Sequence, residues 1–208
     1  MNDDIAEFFG LLDQWRHLPA YQLERRADIF FALYLPELLS DRLGIEIDGE
    51  VVPEFPVNKS VLSADIDANR SVKVDYAAFA ADRSQCVFVE LKTDQGSRRT
   101  AQDDYLNRSR EVGLGRILEG LVDIVRATSA HQKYYHLLEK LEEGGLLELP
   151  DELEGYVFPE ASRGLRDLQS EIAVTVDPGE FDIDVVYIEP HSPDETDHRG
   201  IDFEEGAG

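Results

Sequence analysis

The chain has 208 residues, enough for one domain with a normal core, and 42% apolar residues with eight Tyr and ten Phe exclude global disorder. The formal charge is −24, from 44 acids against 20 bases, of which only five are lysine. No apolar run approaches the roughly 20 residues of a membrane helix. The acidic start Met-Asn-Asp-Asp-Ile lacks the basic region and apolar core of a signal peptide. One cysteine, Cys86, excludes an internal disulfide, and its strand position suggests an ordinary buried thiol. A cytoplasmic protein is the expectation. Acid-rich, lysine-poor surfaces are associated with salt-accumulating halophiles, where multimolar salt shortens the Debye length to about 3 Å and screens self-repulsion. The acids are spread along the chain rather than gathered in one block, which favours that origin over a nucleic-acid mimic. Net charge therefore does not count against a nucleic-acid substrate.

In chain order, Ile5, Phe8, Phe9, Leu12 and Trp15 predict a helix over Asp3–Arg16, broken at His17-Leu18-Pro19. A second helix follows over Ala20–Tyr34. Pro36 fits the first turn of a short helix, Glu37–Leu43, that ends at Gly44. Ile45–Val57 carries Pro53 and Pro56 and reads as an edge or irregular strand. Asn58–Ser71 is a polar connection. Val72–Ala80 and Gln85–Lys92 are apolar strands rich in β-branched and aromatic residues. Beyond the loop 93–97, helices are expected over Arg98–Arg110, Val112–Ala127 and Ala130–Glu142, the last stopped by Gly144-Gly145. Gly145–Pro159 is loop-like and Ala161–Leu168 a short helix. Ile172–Val176 and Ile183–Ile188 are strands separated by the turn Asp177-Pro178-Gly179. Pro190–Gly208 is poor in apolar residues and reads as an acidic flexible tail. The order predicts a mixed α/β (α+β) fold, a small central sheet flanked by helices, with residues 1–189 as one domain.

The stretch Val72–Lys92 organises this chain. Ala81–Ser84 forms a plausible hairpin loop, and a hairpin symmetric about it sets Asp75 opposite Glu90 and Lys73 opposite Lys92. Opposed carboxylates repel, so an otherwise apolar hairpin should keep them only around a cation. Lys92 shares a face with Glu90 because strand side chains alternate. Two acids with an adjacent ammonium suit Mg²⁺, which takes one or two carboxylates plus waters and phosphate oxygens.

A helix, an irregular strand, V-D75-Y, V-E90-L-K92-T and a further helix resemble the PD-(D/E)XK nuclease superfamily, whose restriction-endonuclease-like core is a mixed sheet flanked by helices. The resemblance covers roughly residues 20–110 and implies a Mg²⁺-dependent nuclease, with Mn²⁺ as a substitute ion. Asp75 and Glu90 would bind the metal, and Lys92 would position the attacking water. Val74 stands where the superfamily pattern has proline. A helical acid often completes such a site; Glu37 and Glu24 are candidates, with Glu54 a strand alternative. Thr93, and Gln102 with Tyr105 on one helix face, are similar to the exonuclease-like branch and imply substrate contacts, although the spacing there is one residue longer. A polar helix surface with Tyr105 at the core edge is the plain alternative. Ser97, Arg98 and Arg99 open that helix, where amides and guanidinium groups can hold a phosphate. The implied partner is DNA, with RNA left open; a homodimer or a protein partner is a further expectation.

Other patterns are weaker. His131 and His136 are five apart and do not share a helix face, and Gly113-Leu114-Gly115 lacks the strand context of a nucleotide loop. The rival reading is a catalytically silent protein of the same fold that binds a partner in DNA processing or defence.

Overall fold

The computed structural model describes residues 23–63, 71–92, 100–129, 131–153, 164–177, 179–189 and 199–202. Its elements are α1 (Leu23–Leu43), β1 (Ile47–Asn58), α2 (Lys59–Leu62), β2 (Ser71–Ala80), β3 (Gln85–Leu91), α3 (Thr100–Val112) and α4 (Leu114–Ala127). They continue with α5 (His131–Glu143), β4 (Leu147–Glu148), α6 (Leu165–Glu171), β5 (Ala173–Val174), β6 (Asp182–Glu189) and β7 (Arg199–Asp202). The fold is mixed α/β. A five-stranded sheet runs β1-β2-β3-β6-β7, and β4 and β5 pair as a separate ribbon. The first three strands are antiparallel neighbours, whereas β6 and β7 add in parallel. No helix among the described residues is long and apolar enough to cross a membrane.

The sheet is buried on both faces because its central strands are apolar on both. β3 alternates Cys86 and Phe88 into one core with Val87, Val89 and Leu91 into the other. Leu35 and Leu39 of α1 cover the second face, and Leu106, Leu114, Ile117, Leu118 and Leu121 of α3 and α4 cover the first. The desolvation of these side chains supplies the driving force, roughly 1.5–3 kcal/mol for each fully buried Leu, Ile or Phe. Cys86 is fully buried, and burial pushes its thiol pKa up, so it acts as a small apolar residue.

Several expectations are corrected. The helices expected on either side of Leu35-Pro36 are one helix, α1, with Pro36 inside it. Proline removes one backbone donor, but the Leu35 and Leu39 stripe packs without a break. Lys59–Leu62, expected in a polar connection, forms a turn of helix. Part of the expected acidic tail, Arg199–Asp202, joins the sheet as β7. The first expected helix, Asp3–Arg16, lies outside the described residues.

The short α2 is capped by a buried side chain. Asn58 is fully buried, caps α2 by accepting from Ser60 N at 3.0 Å and donates to Gly120 O at 3.1 Å. The close approach needs glycine on α4, since a Cβ at Gly120 would lie 2.6 Å from Val61 Cγ2. Asn58→Ala removes the cap and the buried bond that ties α2 to the Gly120 carbonyl of α4. The expected loss is about 2–3 kcal/mol in urea unfolding, and a value under about 0.5 kcal/mol would show that α2 is not fixed this way.

Candidate active site

The hairpin register is the one that symmetry predicts, with Tyr76 opposite Val89, Ala77 opposite Phe88 and Phe79 opposite Cys86. Pairing of β2 with β3 stops at Tyr76 and Val89. β3 stays with β6 through Leu91, and Lys92 N donates to Ile188 O at 2.8 Å. A notch therefore opens between β2 and β3, and Asp75 stands at its head. Its Oδ2 accepts Leu91 N–H at 2.8 Å, replacing the strand partner that β2 no longer offers.

The divergence has a local cause. Along β1 and β2, Val52 pairs with Ala77 and Phe55 with Val74, and all four enter the same core. A regular strand returns to a face every second residue, so a three-residue interval means both strands change face between these pairs. Glu54 lies within that interval with φ of +53°, the left-handed region. Asp75 is its counterpart on β2. Lys73 beyond the switch pairs with Glu54, so the expected Lys73–Lys92 opposition is not formed.

Glu90 is 1% exposed and Lys92 7% exposed, which is unusual burial for two charged residues. Lys92 Nζ donates to Glu90 Oε2 at 3.0 Å and to Gln102 Oε1 at 3.1 Å. Gln102 closes the ring by donating its Nε2 to Glu90 Oε2. Glu90 Oε1 is buried and receives no donor. The Asp75 carboxyl lies within hydrogen-bonding reach of Glu90, and two ionised carboxylates have no hydrogen to share. Burial and then the Asp75 charge push Glu90 from 4.5 up to about 7, against the pull of Lys92. Burial also raises Asp75, with the Leu91 N–H opposing it.

Helix α3 is anchored so that Gln102 reaches this ring. Tyr187, the β6 neighbour of Glu90, donates its hydroxyl to Asp103, and Arg110 pairs with Asp184. Tyr105 is half-buried against the core, with Lys59 Nζ 4.8 Å from its ring centre. Asp75, Glu90, Lys92 and Gln102 are thus brought together. Gln102, expected to contact substrate, instead spends both ends of its amide inside the site. Glu37 is exposed on α1, the helix that covers the opposite face of the sheet, and does not join the pair. Glu54 is the acid whose charge reaches Asp75. Arg98, with Thr93, Ser97 and Arg99, lies outside the described residues, as does the side chain of Glu24.

Among the described residues, no group of three or more His, Cys, Asp or Glu is arranged to hold a metal. The fit to Mg²⁺ rests on two carboxyls. A donorless buried oxygen on Glu90 beside the Asp75 carboxyl calls for a proton or a cation, and hard oxygen donors suit Mg²⁺. The residues present fit the ion. No family model, curated protein or solved structure matches the chain.

Linkage gives this site a signature in stability. Glu90 holds its proton up to about pH 7 when folded and releases it near 4.5 when unfolded. The folded chain binds more protons in that window, so stability falls as pH rises from about 5 to 8 and then levels. A shift of this size corresponds to a loss on the order of 3 kcal/mol. Asp75→Asn removes the second-largest cause, so chemical unfolding across this range should show a smaller fall than in the parent protein. An equal or steeper fall would mean that the two carboxyls do not interact.

Proposed function

We propose that the protein is a Mg²⁺-dependent phosphodiesterase that hydrolyses nucleic acid, with DNA as the substrate the PD-(D/E)XK resemblance implies. The observation that carries this is the meeting of Asp75 and Glu90 at the split between β2 and β3, with the Lys92 ammonium bonded to Glu90. Burying a carboxyl pair with one ammonium is weak support for stability, because desolvation offsets the attraction. Perturbed ionisable groups gathered at an opening in a sheet are better explained by chemistry.

Asp75 and Glu90 would hold the ion, which when bound supplies Lewis acidity and a water of lowered pKa. Lys92 has three ammonium donors, two of them committed to Glu90 and Gln102. The third remains to orient a water or to meet a phosphate oxygen where negative charge develops. Gln102 holds Lys92 and Glu90 in mutual register, and Leu91 N–H fixes one oxygen of Asp75. Preorganisation of this kind lets a site act without rearranging as the reaction proceeds.

One observation favours keeping the silent binding protein as a second reading: the described residues bring together two carboxyls rather than three. Cleavage and ion binding separate the readings. With labelled single- and double-stranded DNA, Asp75→Asn and Lys92→Met are each expected to lower Mg²⁺-dependent cleavage by at least about a hundredfold, the range of a lost metal ligand or charge-stabilising group. Parent protein inert on both substrates over a range of salt and metal conditions would defeat the enzyme reading. In a thermal-shift titration, Mn²⁺ should raise the Tm of the parent protein, while Asp75→Asn loses most of the rise. No shift in the parent protein would count for the binding module.

A further inference from the structure

Cations in this chain are scarce, and those among the described residues are mostly paired. Lys73 holds Glu54, Lys92 holds Glu90, Arg83 holds Glu180, and Arg110, Arg116 and Arg126 hold Asp184, Glu119 and Asp123. With 44 acids to 20 bases, pairing is the default. Two cations beside the site depart from it. Among the described residues no carboxylate lies within ion-pair reach of Lys59, whose ammonium instead sits over the Tyr105 ring, 4.8 Å from its centre. Arg108 likewise has no carboxylate among them and donates to the Leu62 carbonyl at 3.3 Å.

Both lie where α2 meets α3. Gln102, Tyr105 and Arg108 follow one another at intervals of three along α3, each step advancing about 4.5 Å along the axis. Gln102 touches Glu90 and Lys92, Tyr105 holds Lys59, and Arg108 binds the end of α2. The ridge thus leads from the carboxyl pair to two positive groups that no acid among the described residues neutralises. An aromatic face attracts an ammonium without neutralising it, and a carbonyl leaves the guanidinium charge intact. In a chain of net charge −24, such groups are the natural receptors for a phosphate.

We propose that Lys59 and Arg108 form a phosphate-binding track for a nucleic-acid strand that extends beyond the bond held at Asp75 and Glu90. This rests on the phosphodiesterase reading and adds the substrate's character: a polyanionic strand, gripped by its backbone and not read by its bases. Tyr105 is a positioning residue for Lys59, which assigns it a role other than base stacking. Gln102 lies inside the site, and the track begins beyond it.

Binding without turnover tests the track apart from catalysis. The affinity of the full chain for fluorescent single-stranded oligothymidine is measured over a salt series with divalent ions chelated, and repeated with oligouridine. Lys59→Met should weaken binding about tenfold at low salt and reduce the slope of log affinity against log salt by about 0.7, the value for one phosphate contact on a single strand. Lys59→Arg should keep the slope, and Tyr105→Phe, which preserves the ring face, should resemble the parent protein. Arg108→Met should behave as Lys59→Met does. Equal slope changes on both oligonucleotides support a backbone track, whereas a change on one alone would replace it with recognition of the sugar or base. A parent protein that binds while both Met variants keep its affinity and slope overturns the track and leaves the phosphodiesterase reading standing. A parent protein that binds neither oligonucleotide also overturns the track, and the cleavage assay with Mg²⁺ then decides the phosphodiesterase reading separately.

Discussion

The site depends on a charge that the fold leaves uncompensated. Two carboxyls face one ammonium where Glu90 is 1% exposed, so with both acids ionised the cluster carries a net negative charge out of water. Burial of such a charge is expensive, and the protein meets it by retaining a proton on Glu90 until about pH 7. The proton occupies a place that a divalent cation could take. On the proposed reading a divalent ion in its place makes the cluster singly positive, and the single charge of a phosphodiester balances it. The cluster is then near neutrality with ion and substrate both present, and charged when either is missing.

That arrangement needs β2 and β3 to part at the right residue. An unbroken hairpin would satisfy Leu91 N–H from a β2 carbonyl, leaving Asp75 no backbone donor. The paired change of face in β1 and β2 prevents this. Glu54 adopts a left-handed conformation, the stretch after Phe55 swings with Val74 and Val72 back to the first core, and the ladder to β3 is given up. The side chain of Asp75 then takes the place of the missing strand. An irregularity in an edge strand thus becomes the opening in which two acids meet.

Much of the site was legible in the sequence because it rests on short-range rules. Strand alternation and a symmetric four-residue loop suffice to place Asp75 near Glu90, and an interval of two places Lys92 on the same face. The Lys73–Lys92 opposition failed because symmetry arguments assume an unbroken ladder, and the change of face near Glu54 depends on packing against α4. Glu37 is a candidate on helical position alone; which face of the sheet α1 covers is fixed by Leu35 and Leu39, a tertiary fact. The single helix through Pro36 shows apolar packing outweighing a local stop signal. β7 was hidden because a four-residue strand in an acidic stretch carries almost no periodic signal.

Helix α3 ties these parts together through three nearby residues with separate tasks. Gln102 bonds to the acid and the ammonium, Asp103 accepts from Tyr187 beside Glu90 on the sheet, and Tyr105 holds Lys59 of α2. Because 3.6 residues make a turn, these side chains leave the helix in different directions, and a rigid helix keeps their spacing constant. The Tyr187 bond fixes the height of α3 above the sheet, and Arg110 fixes its far end on β6. Displacement of α3 would loosen the Lys92 ring and carry Lys59 away from the acids in one movement. On the proposed reading, the geometry of the reacting groups and the grip on a strand are therefore properties of a single element, set by how that helix docks on β6.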